Sequence, residues 1–230
     1  MNDKDSSLRE PNSNWLERWV RHDIGWHHEE YNPHLLNHWQ LIDLPEGSRV
    51  LVPLCGKSRD MVWLAQQDYQ VRGIELSPLA VAEFFAEQDL TAQRETLGGF
   101  ERWSAGPYEI FCGDIFDLEQ LDNSEVAAVY DRASLVALNP LQRMAYAQML
   151  KRVLPRNSPI LLVAMDYSQQ EMSGPPYSVA ESEVHDLFRS NYRVEQLESL
   201  DLLNESKRYQ EQGLSRIFEQ IYKLQLLGIE

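Results

Sequence analysis

Arg49-Val50-Leu51-Val52-Pro53-Leu54-Cys55-Gly56-Lys57-Ser58 and, one short helix later, Gln70-Val71-Arg72-Gly73-Ile74-Glu75-Leu76-Ser77-Pro78 decide the fold of this chain. Each stretch reads as a short strand that breaks at turn residues and passes into a helix. After the first, Met61, Leu64 and Ala65 recur on one helical face, with Ser58 available as N-cap. After the second, Ser77-Pro78 puts a capping serine before a proline at the first helical position. Outward from these two βα units, strands are predicted at 108–112, 126–130 and 160–165. The last is apolar throughout, as expected of a strand covered on both faces. A helix opens at Asn139-Pro140, with Leu141, Ala145, Met149 and Val153 on one face. A capping-box pattern, Ser178-Val179-Ala180-Glu181, precedes Val184, Leu187 and Phe188. Residues 192–200 and 216–224 both read as strands, with no convincing helix between them, and are expected to pair antiparallel. The whole predicts an α/β fold, a mostly parallel doubly wound sheet with an antiparallel C-terminal hairpin, holding its ligand at the carboxyl ends of the strands.

Composition narrows the class. Of 230 residues, 43% are hydrophobic, enough for a sizeable core. Residues 1–13 are polar and read as a flexible tail. No linker or repeat divides the rest, so 14–230 is expected to be one domain. No apolar run is long enough to span a membrane, and the polar N-terminus is not a secretory signal. Two cysteines, Cys55 and Cys112, argue against a disulfide framework and for a cytoplasmic protein. Lys plus Arg number 21 against 36 acidic residues, a net charge of −15, which disfavours nucleic acid as a partner.

The site residues follow from the strand ends. Gly56 lets backbone approach a ligand, and the helix behind it offers free N–H groups, although the full G-x-G-x-x-G pattern is absent. Glu75 ends the second strand, where doubly wound folds use an acid to accept hydrogen bonds from an adenosine ribose. Asp114 follows the third strand predicted, where an adenine edge would lie, and reads more readily as a loop or cap residue. Together these indicate an adenosine-containing cofactor without saying which. Among the six histidines, His34 and His38 stand at i, i+4 beside His27-His28, but no cysteine cluster accompanies them and no metal site is expected.

Several longer motifs resemble, in order, those of the thiopurine S-methyltransferases. They are Trp15-Leu16-Glu17-Arg18-Trp19, Ile24-Gly25-Trp26-His27, Val52 to Ser58, Gly73 to Ser77, Tyr130-Asp131-Arg132 through Asn139-Pro140, and Gly174-Pro175-Pro176-Tyr177. The resemblance runs from about residue 14 to residue 224. It implies a Rossmann-like class I methyltransferase with an N-terminal helical lid, S-adenosylmethionine as cofactor, a small-molecule acceptor and a monomer. It also implies that Trp19, Leu54, Glu75 and Arg132 bind the cofactor, with Trp15, Gly56 and Ile115 as additional contacts. Arg132 is expected to orient the acceptor, and Arg208 is a looser match to a second substrate-side arginine. Trp26 stands where relatives often carry Phe and is expected to narrow the acceptor pocket. Asp114 stands where some relatives have Ser. The acceptor class implied is the sulfur of thiopurines or a related thiol, selenium or tellurium species.

Other readings compete for the same residues. Arg132 also suits a structural salt bridge to an adjacent or facing acid, Trp39 suits the core, and Cys55 suits a small packing position. A nicotinamide-dependent oxidoreductase would share the acid after the second strand, though with a richer glycine turn. A non-catalytic cofactor-binding protein would share the whole site.

Overall fold

The computed structural model of the protein describes residues 12–132, 134–204 and 207–227. The tail expected over 1–13 lies outside them, apart from Asn12 and Ser13. These two open α1 (Asn12–Val20), followed by α2 (Pro33–His38). The predicted βα units then appear as β1 (Arg49–Pro53), α3 (Asp60–Gln66), β2 (Gln70–Glu75) and α4 (Pro78–Glu87). Next come β3 (Gln93–Leu97), β4 (Phe100–Ala105), β5 (Tyr108–Cys112) and β6 (Val126–Asp131). The remainder is α5 (Ser134–Ala137), α6 (Pro140–Val153), β7 (Ile160–Tyr167), α7 (Glu181–Phe188), β8 (Tyr192–Asp201), α8 (Lys207–Glu211) and β9 (Ile217–Leu226).

Among the described residues, nine strands form one sheet in the order β3-β4-β5-β2-β1-β6-β7-β9-β8. From β5 to β7 neighbours run parallel, and both flanks are antiparallel. The order reverses at β1, with β2 and β5 to one side and β6 and β7 to the other. In open α/β sheets the ligand crevice lies at such a reversal. Strand register sharpens the point: Pro53 pairs with Ile74, and Glu75 with Cys112, so the carboxyl ends of β1, β2 and β5 finish level.

Alternation sorts the strands' side chains into two cores. Leu51, Ile74, Phe111, Val129 and Leu162 pack with Tyr146, Met149 and Leu150 of α6 and with Val184 and Phe188 of α7. On the other face Val50, Val52, Val71, Ile110, Ala128 and Leu161 meet Leu35, Trp39, Met61, Val81 and Phe84. Trp39 is thus a core residue, as its alternative reading held.

Five local expectations differ from what forms. The helix after β1 begins at Asp60 with Arg59 at its cap position, and the Ser58 hydroxyl accepts the Asp60 N–H as a turn contact. Ser178 does not cap α7: its hydroxyl is taken by the backbone of Tyr167, and Ala180 holds the cap position. In α6, Leu141 is exposed while Gln142 and Arg143 are buried. Arg143 can turn inward because its guanidinium donates to Leu138 O, Ser178 O and Glu183. The hairpin β3–β4 was not anticipated, and a short helix, α8, separates β8 from β9.

Gly73 of β2 makes room for the loop that follows β1. A Cβ there would lie 2.7 Å from Cys55 Sγ and 3.2 Å from Ile110 Cγ1. Gly73→Ala should therefore destabilise the protein by about 1–3 kcal/mol through overpacking. Urea unfolding of Gly73→Ala with and without Cys55→Ala checks it, since removing the sulfur should restore part of the loss.

Candidate functional site

The turn after β1 is built around Glu75. Its Oε2 accepts the Gly56 N–H at 2.8 Å, its Oε1 accepts the Ser77 N–H at 2.7 Å, and its backbone carbonyl accepts the Gly113 N–H at 2.8 Å. One buried residue thereby joins the loops leaving β1, β2 and β5. Burial raises the carboxyl above its ordinary value, opposed by the N–H groups of Ser77, Gly56 and Leu76. Beside it, Leu54 has φ +45° and Gly56 φ +52°. A left-handed leucine costs roughly 1–3 kcal/mol and persists where surrounding contacts dictate it, most often at functional sites. Here the flanking bonds Cys55 N–H to Ile74 O and Ser58 N–H to Cys55 O, both 3.0 Å, fix it. A Cβ at Gly56 would stand 3.1 Å from the Trp19 ring, so glycine is needed for space as well as for φ.

The aromatic segment closes over this turn. Trp19 is buried and meets Trp26 edge to face at 6.0 Å, and Trp15 meets Trp26 at 5.2 Å. Arg18, which sequence reasoning did not single out, lies 4.3 Å over the Trp26 ring and pairs with Asp23. Arg132 follows β6. The salt bridge with its neighbour does not form, because Asp131 is buried and accepts the Ser134 N–H and the Tyr146 hydroxyl. Arg132 Nη1 instead donates to Trp26 O at 3.3 Å. Arg208 comes from α8, and a Cβ on Gly25 would lie 3.7 Å from its Nη1.

A cavity of about 490 Å³ gathers all the expected residues: Trp15, Trp19, Trp26, Leu54, Gly56, Glu75, Ile115, Arg132 and Arg208. Asp114 lines it too, and its carboxylate caps the 3-10 turn Ile115–Gln120 by accepting the Phe116 N–H. A second cavity of about 240 Å³ adjoins it, sharing Leu54, Gly56, Arg132 and Glu219 among its walls. His28 lines both, its imidazole held below the usual range by burial and then by the Arg132 charge. Sequence reasoning missed Glu219, Met165, Met172 and Tyr209, which face the larger cavity. The first three sit on strands or loops whose periodicity says nothing of a cavity, and Tyr209 belongs to the unpredicted α8.

The architecture is shared with solved methyltransferases. A 1,6-didemethyltoxoflavin-N1-methyltransferase from Burkholderia thailandensis is similar at a TM-score of 0.64 and 13% identity, over 98% of this chain and 92% of that one. A SAM-dependent methyltransferase from Methanosarcina mazei is similar at 0.61 and 16%, over 86% and 100%. The fold is therefore that of a class I methyltransferase. Residues 10–226 match the family described as Thiopurine S-methyltransferase (TPMT). Relatives of that name from Nitrosospira multiformis and Xanthomonas axonopodis pv. citri are each 46% identical, over 91% and 92% of this chain and 96% and 97% of theirs. The chain belongs to the thiopurine S-methyltransferase family and is an S-adenosylmethionine-dependent methyltransferase. A nicotinamide-dependent oxidoreductase is not favoured.

Neither cysteine is poised as a nucleophile. Burial, and after it the Glu75 charge, pushes the Cys112 thiol up to about 12 and the Cys55 thiol well above its usual range. At pH 8 the Cys112 thiolate fraction should be about a thousandfold below that of a free thiol. Alkylation by iodoacetamide, followed by mass spectrometry, should be slow at both positions and become fast only on unfolding.

Proposed function

We propose that the protein methylates the sulfur of thiopurines or a related soft nucleophile, a thiol, selenium or tellurium species, within the larger cavity. The single observation that carries this reading is the gathering of Glu75, Gly56, Trp19, Arg132 and Arg208 around one space. The donor set suits the cofactor. Glu75 keeps lone pairs for ribose hydroxyls beside its two backbone N–H groups, and the Gly56 turn has no room for a side chain. The Trp19 ring, packed on the Gly56 turn, suits a sulfonium cation, while Arg18 lies over the Trp15 and Trp26 rings. Leu54 and Ile115 add contacts along the same wall. When bound, S-adenosylmethionine supplies an electrophilic methyl group.

The chain's own part is orientation and exclusion of water. Arg132, tethered to the Trp26 carbonyl, orients an anionic or thione acceptor, and Arg208 supports it across Gly25. Trp26 narrows the acceptor space. A thiopurine sulfur is acidic enough that no strong base is demanded of the protein. Fixing the reacting groups in register contributes on the order of 7–11 kcal/mol in well-oriented systems. We further read residues 14–230 as one methyltransferase domain, monomeric and cytoplasmic. The two cysteines without disulfide geometry and the absence of a helix long and apolar enough to cross a membrane, among the described residues, accord with this. The charge of −15 accords with small-molecule rather than nucleic-acid partners.

Arg132→Ala should lower kcat/KM for a thiopurine acceptor about 10–100-fold, the worth of a charged hydrogen bond, with an unchanged circular dichroism spectrum. Unaltered acceptor kinetics would remove Arg132 from the mechanism. Glu75→Gln should weaken S-adenosylmethionine binding by about tenfold or more in calorimetric titration, because an amide cannot accept at both positions. A screen of thiol, selenol and thiopurine acceptors with radiolabelled methyl donor tests the acceptor class. Cofactor binding without transfer to any of them would favour a binding protein.

A further inference from the structure

Beside Glu219, a wall residue of both cavities, a second constellation joins α2 to the C-terminal hairpin. Glu198 Oε2 lies 3.1 Å from His34 Nδ1 and 2.8 Å from His38 Nε2. These three ligand-type atoms all fall within 4.8 Å of one another. The other ring nitrogen of His34, Nε2, faces Glu219 Oε2 at 2.9 Å. None of His34, His38 and Glu198 lines either cavity described above.

We propose that His34, His38 and Glu198 form a binding site for a divalent transition-metal cation of the zinc class, clasping α2 to the β8–β9 hairpin. Two imidazoles and one carboxylate are the donor types such a cation takes, with water completing the set. Histidines at i, i+4 present their rings on one side of a helix, and these two are parallel within 12°. Ligating histidines characteristically give their second N–H to a carboxylate, which fixes tautomer and ring orientation. Glu219 stands in that position to His34, leaving Nδ1 directed at Glu198 and the cation.

The hairpin is shaped for this. The β8–β9 register shifts between Gln196 and Glu198, so that Gln196 pairs with Tyr222 and Glu198 with Ile221. Were Leu197 paired regularly with Ile221, Glu198 would meet Gln220 and fall on the face opposite Glu219; the bulge at Leu197 keeps Glu198 beside Ile221, on the same face as Glu219. Two rings converge on one Glu198 oxygen, and the remaining His34 nitrogen has the Glu219 carboxylate of its own. The His34 side chain is buried, while Glu198 is 36% exposed and gives the cation a way in. The sequence could not supply this site, because Glu198 lies 160 residues from His38.

The test uses the full chain stripped with EDTA and titrated with Zn²⁺ under calorimetry, with Co²⁺ as an absorbing substitute. One equivalent of Zn²⁺ should bind and raise Tm, and Co²⁺ should give a visible d–d band. His38→Ala and Glu198→Gln should each weaken binding at least about tenfold and abolish both the Tm rise and the band. His185→Ala, an exposed histidine beside Glu181, should change nothing. Melting of the stripped variants shows that they fold, and Glu198→Gln keeps the test open should His38→Ala fail to. Absence of a Zn²⁺-induced Tm rise in the unmodified protein, or binding undiminished in a folded variant, overturns the proposal.

Discussion

The carboxylate of Glu75 is the contact on which the rest of the site depends. A buried charge without partners costs several kcal/mol, so an acid at 6% exposure persists only if its lone pairs are used. Glu75 uses them on the Gly56 and Ser77 N–H groups, donors freed where β1 and β2 end. Its own carbonyl extends the tie to Gly113 after β5. Three loops that would otherwise move separately are therefore set by one side chain. The level strand ends that register produces become a shared floor rather than three unrelated turns.

From that tie the neighbouring strain becomes intelligible. Leu54 adopts a left-handed backbone because Cys55 is fixed to Ile74 on one side and Ser58 to Cys55 on the other. Gly73 supplies the space Cys55 needs, and Gly56 supplies the space Trp19 needs. Two glycines on different elements thus serve the same turn, one beneath it and one above. Trp19, brought down on Gly56, carries Trp26 with it, and Trp26 in turn holds Arg132 through its carbonyl. The N-terminal segment and the loop after β6 are coupled through the cofactor turn.

How much of this was legible depended on how local its cause was. Ser77-Pro78 and Asn139-Pro140 cap their helices as read, because a cap is a matter of three or four residues. Strands β1 and β7 were legible because strands buried on both faces are largely apolar. The β3 strand, Gln93-Arg94-Glu95-Thr96-Leu97, is exposed along its whole length and shows no alternation to read. In α6 the apolar pattern pointed to Leu141, yet Arg143 faces inward because carbonyls at 138 and 178 and the Glu183 carboxylate await it. Ser178 looked like a cap but found a strand backbone nearer. At the site, Glu75 and Gly56 were legible from spacing, Trp19 and Arg132 only through the family resemblance. Glu219 was legible from neither, since its place follows from the pairing of β9 with β7 and β8.

Charge placement around the larger cavity bears on which acceptors it suits. A guanidinium locked to a carboxylate presents little net charge, whereas one tethered by a carbonyl keeps it. Arg132 is of the second kind: the acid beside it, Asp131, is committed to Ser134 and Tyr146. The acidic residues that share the cavity are answered locally, Asp23 by Arg18, Glu219 by His34, Glu75 by backbone N–H groups and Asp114 by the Phe116 N–H. His28 is kept toward its neutral form by burial and by Arg132 itself. On the proposed reading, the acceptor shares the cavity with the Arg132 guanidinium, the His28 imidazole and the thioethers of Met165 and Met172. That combination favours a polarizable nucleophile carrying negative charge over a protonated amine, which would face Arg132 while the cavity's described carboxylates are engaged elsewhere.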